Sequence, residues 1–179
     1  DASAATIIGR TAAFLKNDGT IVGLDGTSPV QFNISKQGPS FITVRHRNHL
    51  GVMSHSIPSN AAGTFANDFT MLSNVYKSNA VAAQPVTFLQ GSTRYGMWSG
   101  GANRSGNIAA SDIATIRSTI ANGMTGYQHS DVNMSGNLAA SDVALVKAMI
   151  SQGAQGSATT RTATGVGKVQ SHIPDPITD

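Results

Sequence analysis

Asp131, Asn133, Ser135 and Asp142 set side-chain oxygens at positions 1, 3, 5 and 12 of a twelve-residue segment whose sixth residue is Gly136. A calcium loop draws its ligands from positions 1, 3, 5 and 12, a backbone carbonyl at 7 and often a water through 9, with glycine at 6 for the sharp turn. Here the carbonyl is that of Asn137, and Ala139 at position 9 leaves its place to water. The same pattern stands 30 residues earlier in Asn103, Ser105, Gly106, the Asn107 carbonyl and Asp112, with Gly101 where the first carboxylate belongs. The chemistry implied is calcium binding, with Ca²⁺ as the cofactor and the weaker site in the first copy. The plainer alternative is a pair of Asn/Ser/Gly turns that cap two helices, Asp112 and Asp142 only complementing the helix dipoles.

Charge count sets affinity in such loops. The second copy offers two carboxylates and the first only one, against about three or four in sensor loops, so dissociation constants of roughly 10⁻⁴ to 10⁻³ M are expected. An ion held that weakly suits a structural role in a calcium-rich medium, without switching.

The elements that must position these oxygens are short helices. SGN[IL]AASD[IV]A recurs in register, and Ile113, Ile116 and Ile120 fall at helical spacing, as do Val143, Val146 and Ile150, with Leu145 and Met149 beside them. Gly123 and Gly153 stand where a left-handed residue closes a helix. Neither helix buries its stripe alone, so the two copies are expected to pack together.

On these motifs residues 101–153 resemble a dockerin or dockerin-like domain, a pair of calcium loop-helix units packed antiparallel. The resemblance implies a cohesin-like partner, met by the residues just before the last calcium carboxylate. Those are Ala110 and Ser111, and Ala140 and Ser141, whose identity in both copies would give a pseudo-symmetric face. The departures from the family pattern are Gly101 for Asp, and Ser105 and Ser135 for the usual Asp.

Upstream, the sequence reads as β. Thr6 to Leu15 and Thr20 to Leu24 flank the hairpin signal Asn17-Asp18-Gly19, and Val30, Phe32 and Ile34 alternate with polar residues. Phe41 to Arg47, Phe65 to Leu72, Val86 to Leu89 and Arg94 to Trp98 are further strand-like runs, and turns every eight to twelve residues favour a β-sandwich. Val44 to Ser54 (VRHRNHLGVMS), with LKNDGTIVGLDGTSPVQFNI and YGMWSG, resembles a β-rich region found just before dockerin-like repeats near the ends of large secreted or surface proteins of Bacteroidetes-type bacteria. The fold class expected is therefore mainly β with a small α module: a β-sandwich over 1–98, the dockerin-like pair over 99–153 and an extended tail over 154–179. Thr159 to Val169, rich in Thr and Val, is expected to lie along a sheet edge of its own or a neighbouring subunit.

Composition narrows function. The 179 residues carry 12% charged side chains, about half the usual share, and a net charge of +3. Lys and Arg are scattered, which argues against nucleic acid as a partner. Without cysteine there is no disulfide, thiolate zinc site or cysteine nucleophile, and no apolar run is long enough for a transmembrane helix. A chain that begins at Asp1 is expected to be a processed product or part of a longer polypeptide. No nucleophile elbow or phosphate loop occurs, and Asp68 is the one acid outside the loops and turns in a strand-like context, so an enzyme is not expected. His46, His49 and His55 with Arg45 and Arg47 form the densest polar cluster, read as a loop brace ahead of a metal site. Trp98 is expected to pack under the repeat. Together these features point to an extracellular or cell-surface, calcium-stabilised structural or adhesive module, self-associating or bound to another surface protein. The alternative is a cohesin-docking or carbohydrate-binding module of a larger secreted protein.

Overall fold

A computed structural model gives the fold and describes residues 7–34, 38–60, 62–76, 82–87 and 92–155. Three antiparallel ladders precede two helices: β1 (Phe14–Leu15) with β2 (Ile21–Val22), β3 (Thr43–Val44) with β4 (Val52–Met53), β5 (Gln84–Thr87) with β6 (Thr93–Gly96), then α1 (Ala110–Ala121) and α2 (Ala140–Ser151). The expected hairpin at Asn17-Asp18-Gly19 forms: Thr20 N–H donates to Asp18 Oδ1 at 2.9 Å, and Phe14 lies opposite Val22.

The ladders are not hydrogen-bonded to one another, so the described residues show a mixture of small two-stranded sheets and helices where a β-sandwich was expected. The cause is local. Asp25 Oδ1 accepts the N–H groups of Thr27 and Ser28, Asn60 Oδ1 those of Ala62 and Thr64, and Asp68 Oδ1 that of Thr70. Such side-chain turns take up backbone donors that a ladder would need. Phe65 to Leu72 is accordingly irregular and runs into a 3₁₀ turn at Leu72–Asn74, and Val30 to Ile34 joins no ladder. The tail beyond Gln155, with the expected strand at Thr159 to Val169, lies outside the described residues. Among the described residues no helix is long and apolar enough to cross a membrane.

The repeat follows its pattern closely. α1 and α2 pack on each other, with Ile116, Val146 and Met149 buried between them, while Ile120 and Ile150 at the ends stay exposed. Gly123 (φ 65°) and Gly153 (φ 71°) end the helices in left-handed turns, Met124 N–H reaching Thr119 O and Ala154 N–H reaching Met149 O.

The main core is shared. Leu50 and Trp98 from the upstream region join Ile108, Ile116, Val132, Val146 and Met149 in one buried cluster, which places Trp98 under the repeat as expected. Hydrogen bonds reinforce the seam. Leu50 N–H donates to Trp98 O at 2.8 Å, Gly100 and Gly101 N–H donate to Asn48 O at 3.0 and 3.1 Å, and Ser99 Oγ donates to Val132 O at 2.6 Å. Asn48, fully buried, sends its Nδ2 to Asp131 O. One core thus crosses residues 98 and 99, where the sequence placed a domain boundary. A smaller cluster of Val52, Val75 and Ala82, backed by Phe69 and Met97, sits under β3 and β4.

Trp98→Ala is expected to cost about 3–5 kcal/mol through the cavity it leaves. Asn48→Ala should cost about 1–3 kcal/mol by stripping a buried carbonyl of its donor. In both variants, calorimetry and residue-resolved amide exchange should show the ladders β3–β4 and the helices melting in a single transition. Two separate transitions would contradict a shared core.

Candidate metal centre

Each loop is built by backbone geometry that its side chains dictate. Positions 4 and 6 turn left-handed in both copies: Arg104 (φ 59°) and Gly106 (φ 90°), then Met134 (φ 57°) and Gly136 (φ 80°). Glycine suits position 6 because a β-carbon is strained there. Position 4 holds two unrelated residues in the same strained region, so the loop imposes that conformation.

In the second loop both carboxylates turn inward onto the backbone of the same twelve residues. Asp131 accepts Ser135 N–H at Oδ1 (3.0 Å) and Gly136 N–H at Oδ2 (2.9 Å). Asp142 accepts Asn133 N–H at Oδ1 (3.2 Å) and Ala139 N–H at Oδ2 (3.0 Å). Asn133 Nδ2 donates to Ser141 Oγ at 3.1 Å while its Oδ1 accepts Ser135 N–H, which fixes the amide with its oxygen toward the loop. Ser135 Oγ donates to the Asn137 carbonyl at 3.1 Å. Five of the expected ligand residues are thereby tied into one network.

Asp131 and Asp142 have no exposed surface, and among the described residues no Lys, Arg or His forms an ion pair with either. Buried charges are as a rule paired or metal-bound. Each ionised carboxylate has about four lone-pair sites, of which N–H groups use only two here. An all-oxygen donor set with two buried carboxylates suits the chemistry of a hard divalent cation such as calcium. Asp131, Asn133, Ser135, Asn137 and Asp142 are the residues that would hold it.

The first loop repeats the scaffold with one charge fewer. Asp112, also fully buried, accepts Asn103 N–H (3.0 Å) and Ala109 N–H (2.9 Å), and Asn103 Nδ2 donates to Ser111 Oγ at 2.8 Å. Ser105 N–H donates to Asn103 Oδ1 at 2.9 Å, and Ser105 Oγ reaches Asn107. Gly101 is buried against Leu50 and His49 and contributes no side chain. At the first turn of each helix, Ala110, Ser111, Ala140 and Ser141 are exposed, but the two serine hydroxyls also brace the position-3 asparagines.

The histidine cluster divides. His46 and His49 meet with Nδ1 atoms 2.9 Å apart and rings edge to face, whereas His55 packs against Tyr76. His49 Nδ1 also lies 2.8 Å from Asn48 Oδ1, so the pair holds the asparagine that reaches Asp131. Among the described residues no group of three His, Cys, Asp or Glu side chains converges. Asp68 lies on an open cleft with His55, Asn67 and Asn74, and the hydroxyl and N–H of Thr70 hold its pKa below the usual value. Asn48 and Ser99 are the site-supporting residues that the sequence reading passed over; their burial and their reach to Asp131 and Val132 depend on packing far along the chain. Compared with known proteins, the chain matches no family model, no curated protein and no solved structure.

Burial, then the charges of His46 and Arg47, push the His49 pKa down to about 4. The folded state therefore keeps His49 neutral, while the unfolded chain takes up a proton near pH 6.5. Stability from this group is complete above about pH 6.5 and falls as pH drops toward 4, by at most about 3 kcal/mol. Burial lowers the His46 pKa as well, in the same sense. Thermal melts between pH 7 and about 4 should show this slope, and His49→Gln should flatten it. A variant with an unchanged slope would contradict the assignment.

Proposed function

We propose that residues 101–153 form a dockerin-like calcium-binding pair that stiffens a secreted or cell-surface structural or adhesive protein. The observation that carries this reading is the inward-turned, unpaired burial of Asp131 and Asp142 around one loop. A helix cap needs one carboxylate, at position 12; Asp131 at position 1 accepts two further N–H groups but adds a second buried negative charge, which a cation held between the two would offset. The low carboxylate count suits millimolar calcium, which favours an extracellular setting. The second loop is the principal site, and the first binds more weakly, with Asp112 as its one carboxylate beside Asn103, Ser105 and the Asn107 carbonyl. The role is structural rather than catalytic.

Docking of a cohesin-like partner is the second reading. It draws on the exposure of Ala110 and Ala140 at equivalent places on the two helices. A sugar platform is less favoured because Trp98 is buried and Tyr127 is the one strongly exposed ring among the described tyrosines.

With a dissociation constant of about 10⁻⁴ M, roughly 1 mM calcium should stabilise the chain by about 1.4 kcal/mol over EDTA. Denaturation in calcium and in EDTA reads this increment directly. Asp142→Asn should reduce it to near zero, whereas Asp112→Asn should leave most of it. An increment absent in the native chain, or untouched by Asp142→Asn, would refute the proposal.

A further inference from the structure

We propose that residues 7–34 form a docking face for the C-terminal segment, residues 156–179, of a second copy of this chain, which adds along it as an extended strand. Of the fourteen exposed large hydrophobic side chains among the described residues, seven lie in this stretch, including Phe14, Leu15, Leu24, Phe32 and Ile34. That density is unlike scattered surface apolar residues, which need no explanation. The stretch joins neither buried cluster, and Val22 is its one fully buried apolar side chain. Its two ends lie together: a β-carbon on Gly9 would come within 3.0 Å of Ile34 Cγ2 and 3.4 Å of Phe32 Cδ1. Among the described residues β1 and β2 pair with each other alone, which leaves an outer edge on each. A surface with apolar side chains and open strand edges is what strand addition requires: main-chain hydrogen bonds give affinity and alternate side chains give register.

The C-terminal sequence supplies a segment with matching chemistry. Thr160, Thr162, Thr164 and Val166 alternate with Arg161, Ala163, Gly165 and Gly167. One side of such a strand is β-branched and the other is nearly bare beyond Arg161, which allows close approach to a flat apolar face. It follows Ala154, which is buried in the helix core, whereas neither β1 nor β2 packs extensively on a helix. The donor thus leaves from one part of the fold and the acceptor lies on another, and 24 residues can reach about 80 Å when extended. Donor and acceptor on different surfaces make a head-to-tail contact, which propagates into a filament unless its rotation closes a ring. None of the loop oxygens takes part, so this contact stands or falls independently of the metal.

Complementation between full-length variants tests it. Phe32→Lys spoils the acceptor and keeps the donor; Thr162→Pro spoils the donor and keeps the acceptor. Light scattering with size exclusion should show concentration-dependent assembly of the native chain and monomers for each variant, with association weakened at least about tenfold. An equimolar mixture of the two variants should form a one-to-one heterodimer and nothing larger, since only one good contact remains. If Phe32→Lys loses its native circular dichroism, Leu24→Lys, also exposed in this stretch, replaces it. A native chain that stays monomeric at all concentrations, cross-linked between its own residues 156–179 and 7–34, would overturn the proposal. So would variants that assemble like the native chain, or a mixture that yields no heterodimer.

Discussion

Two negative charges buried in one loop set the terms for the rest of this fold. Asp131 and Asp142 leave water entirely, and four backbone N–H groups take one lone pair from each of their oxygens. Those donors are partial charges and cannot neutralise two full ones. The loop's own hydrogen bonds therefore shape it without balancing that charge. α1 and α2, at twelve residues each, are marginal as isolated helices, so their persistence rests on the packing and the loop geometry that join them. The proposed cation in the second loop would stabilise both helices together, because Ile116 and Val146 share one core.

The same core reaches out of the repeat. Trp98 and Leu50 fill the space beside Ile108 and Val132, while Asn48 and Ser99 hydrogen-bond to the carbonyls of Asp131 and Val132 at the head of the second loop. His46 and His49 hold Asn48 from behind. Of the cluster read as a loop brace, His46 and His49 reach the candidate calcium loop through Asn48, whereas His55 packs on Tyr76. Coupling between the upstream segment and the candidate calcium loop then needs no long pathway, since one buried asparagine touches both.

Legibility in the sequence divides along the range of the interactions. Gly106, Gly136, Asp112, Asp142, Gly123 and Gly153 act within their own turn, and the structure places each in the conformation that its type and spacing suggest. Helix periodicity likewise picked out Ile116, Val146 and Met149. Strand pairing is a non-local choice. Val30, Phe32 and Ile34 alternate as a half-buried strand would, yet nothing among the described residues pairs with them and Phe32 stays exposed. In Phe65 to Leu72 the apolar pattern masked an Asp68–Thr70 turn whose side-chain hydrogen bonds outcompete a ladder. Asn48 carries no local signal at all, because its partner lies 83 residues away.

The inequality of the two loops follows from that long-range packing. At position 1 of the second loop, Asp131 turns its carboxylate into the loop and offers only its carbonyl to Asn48. At the matching position of the first loop, Gly101 donates its N–H to Asn48 O and lies close enough that a β-carbon would meet Leu50 Cδ2 at 3.5 Å and the His49 carbonyl carbon at 3.7 Å. A carboxylate in that place would start against an aliphatic side chain and a carbonyl, both poor neighbours for a negative charge. The glycine thus suits a loop whose first residue has become part of the seam with the upstream segment. The duplicated sequence thus carries a buried carboxylate at position 1 of one loop and a seam glycine at the matching position of the other.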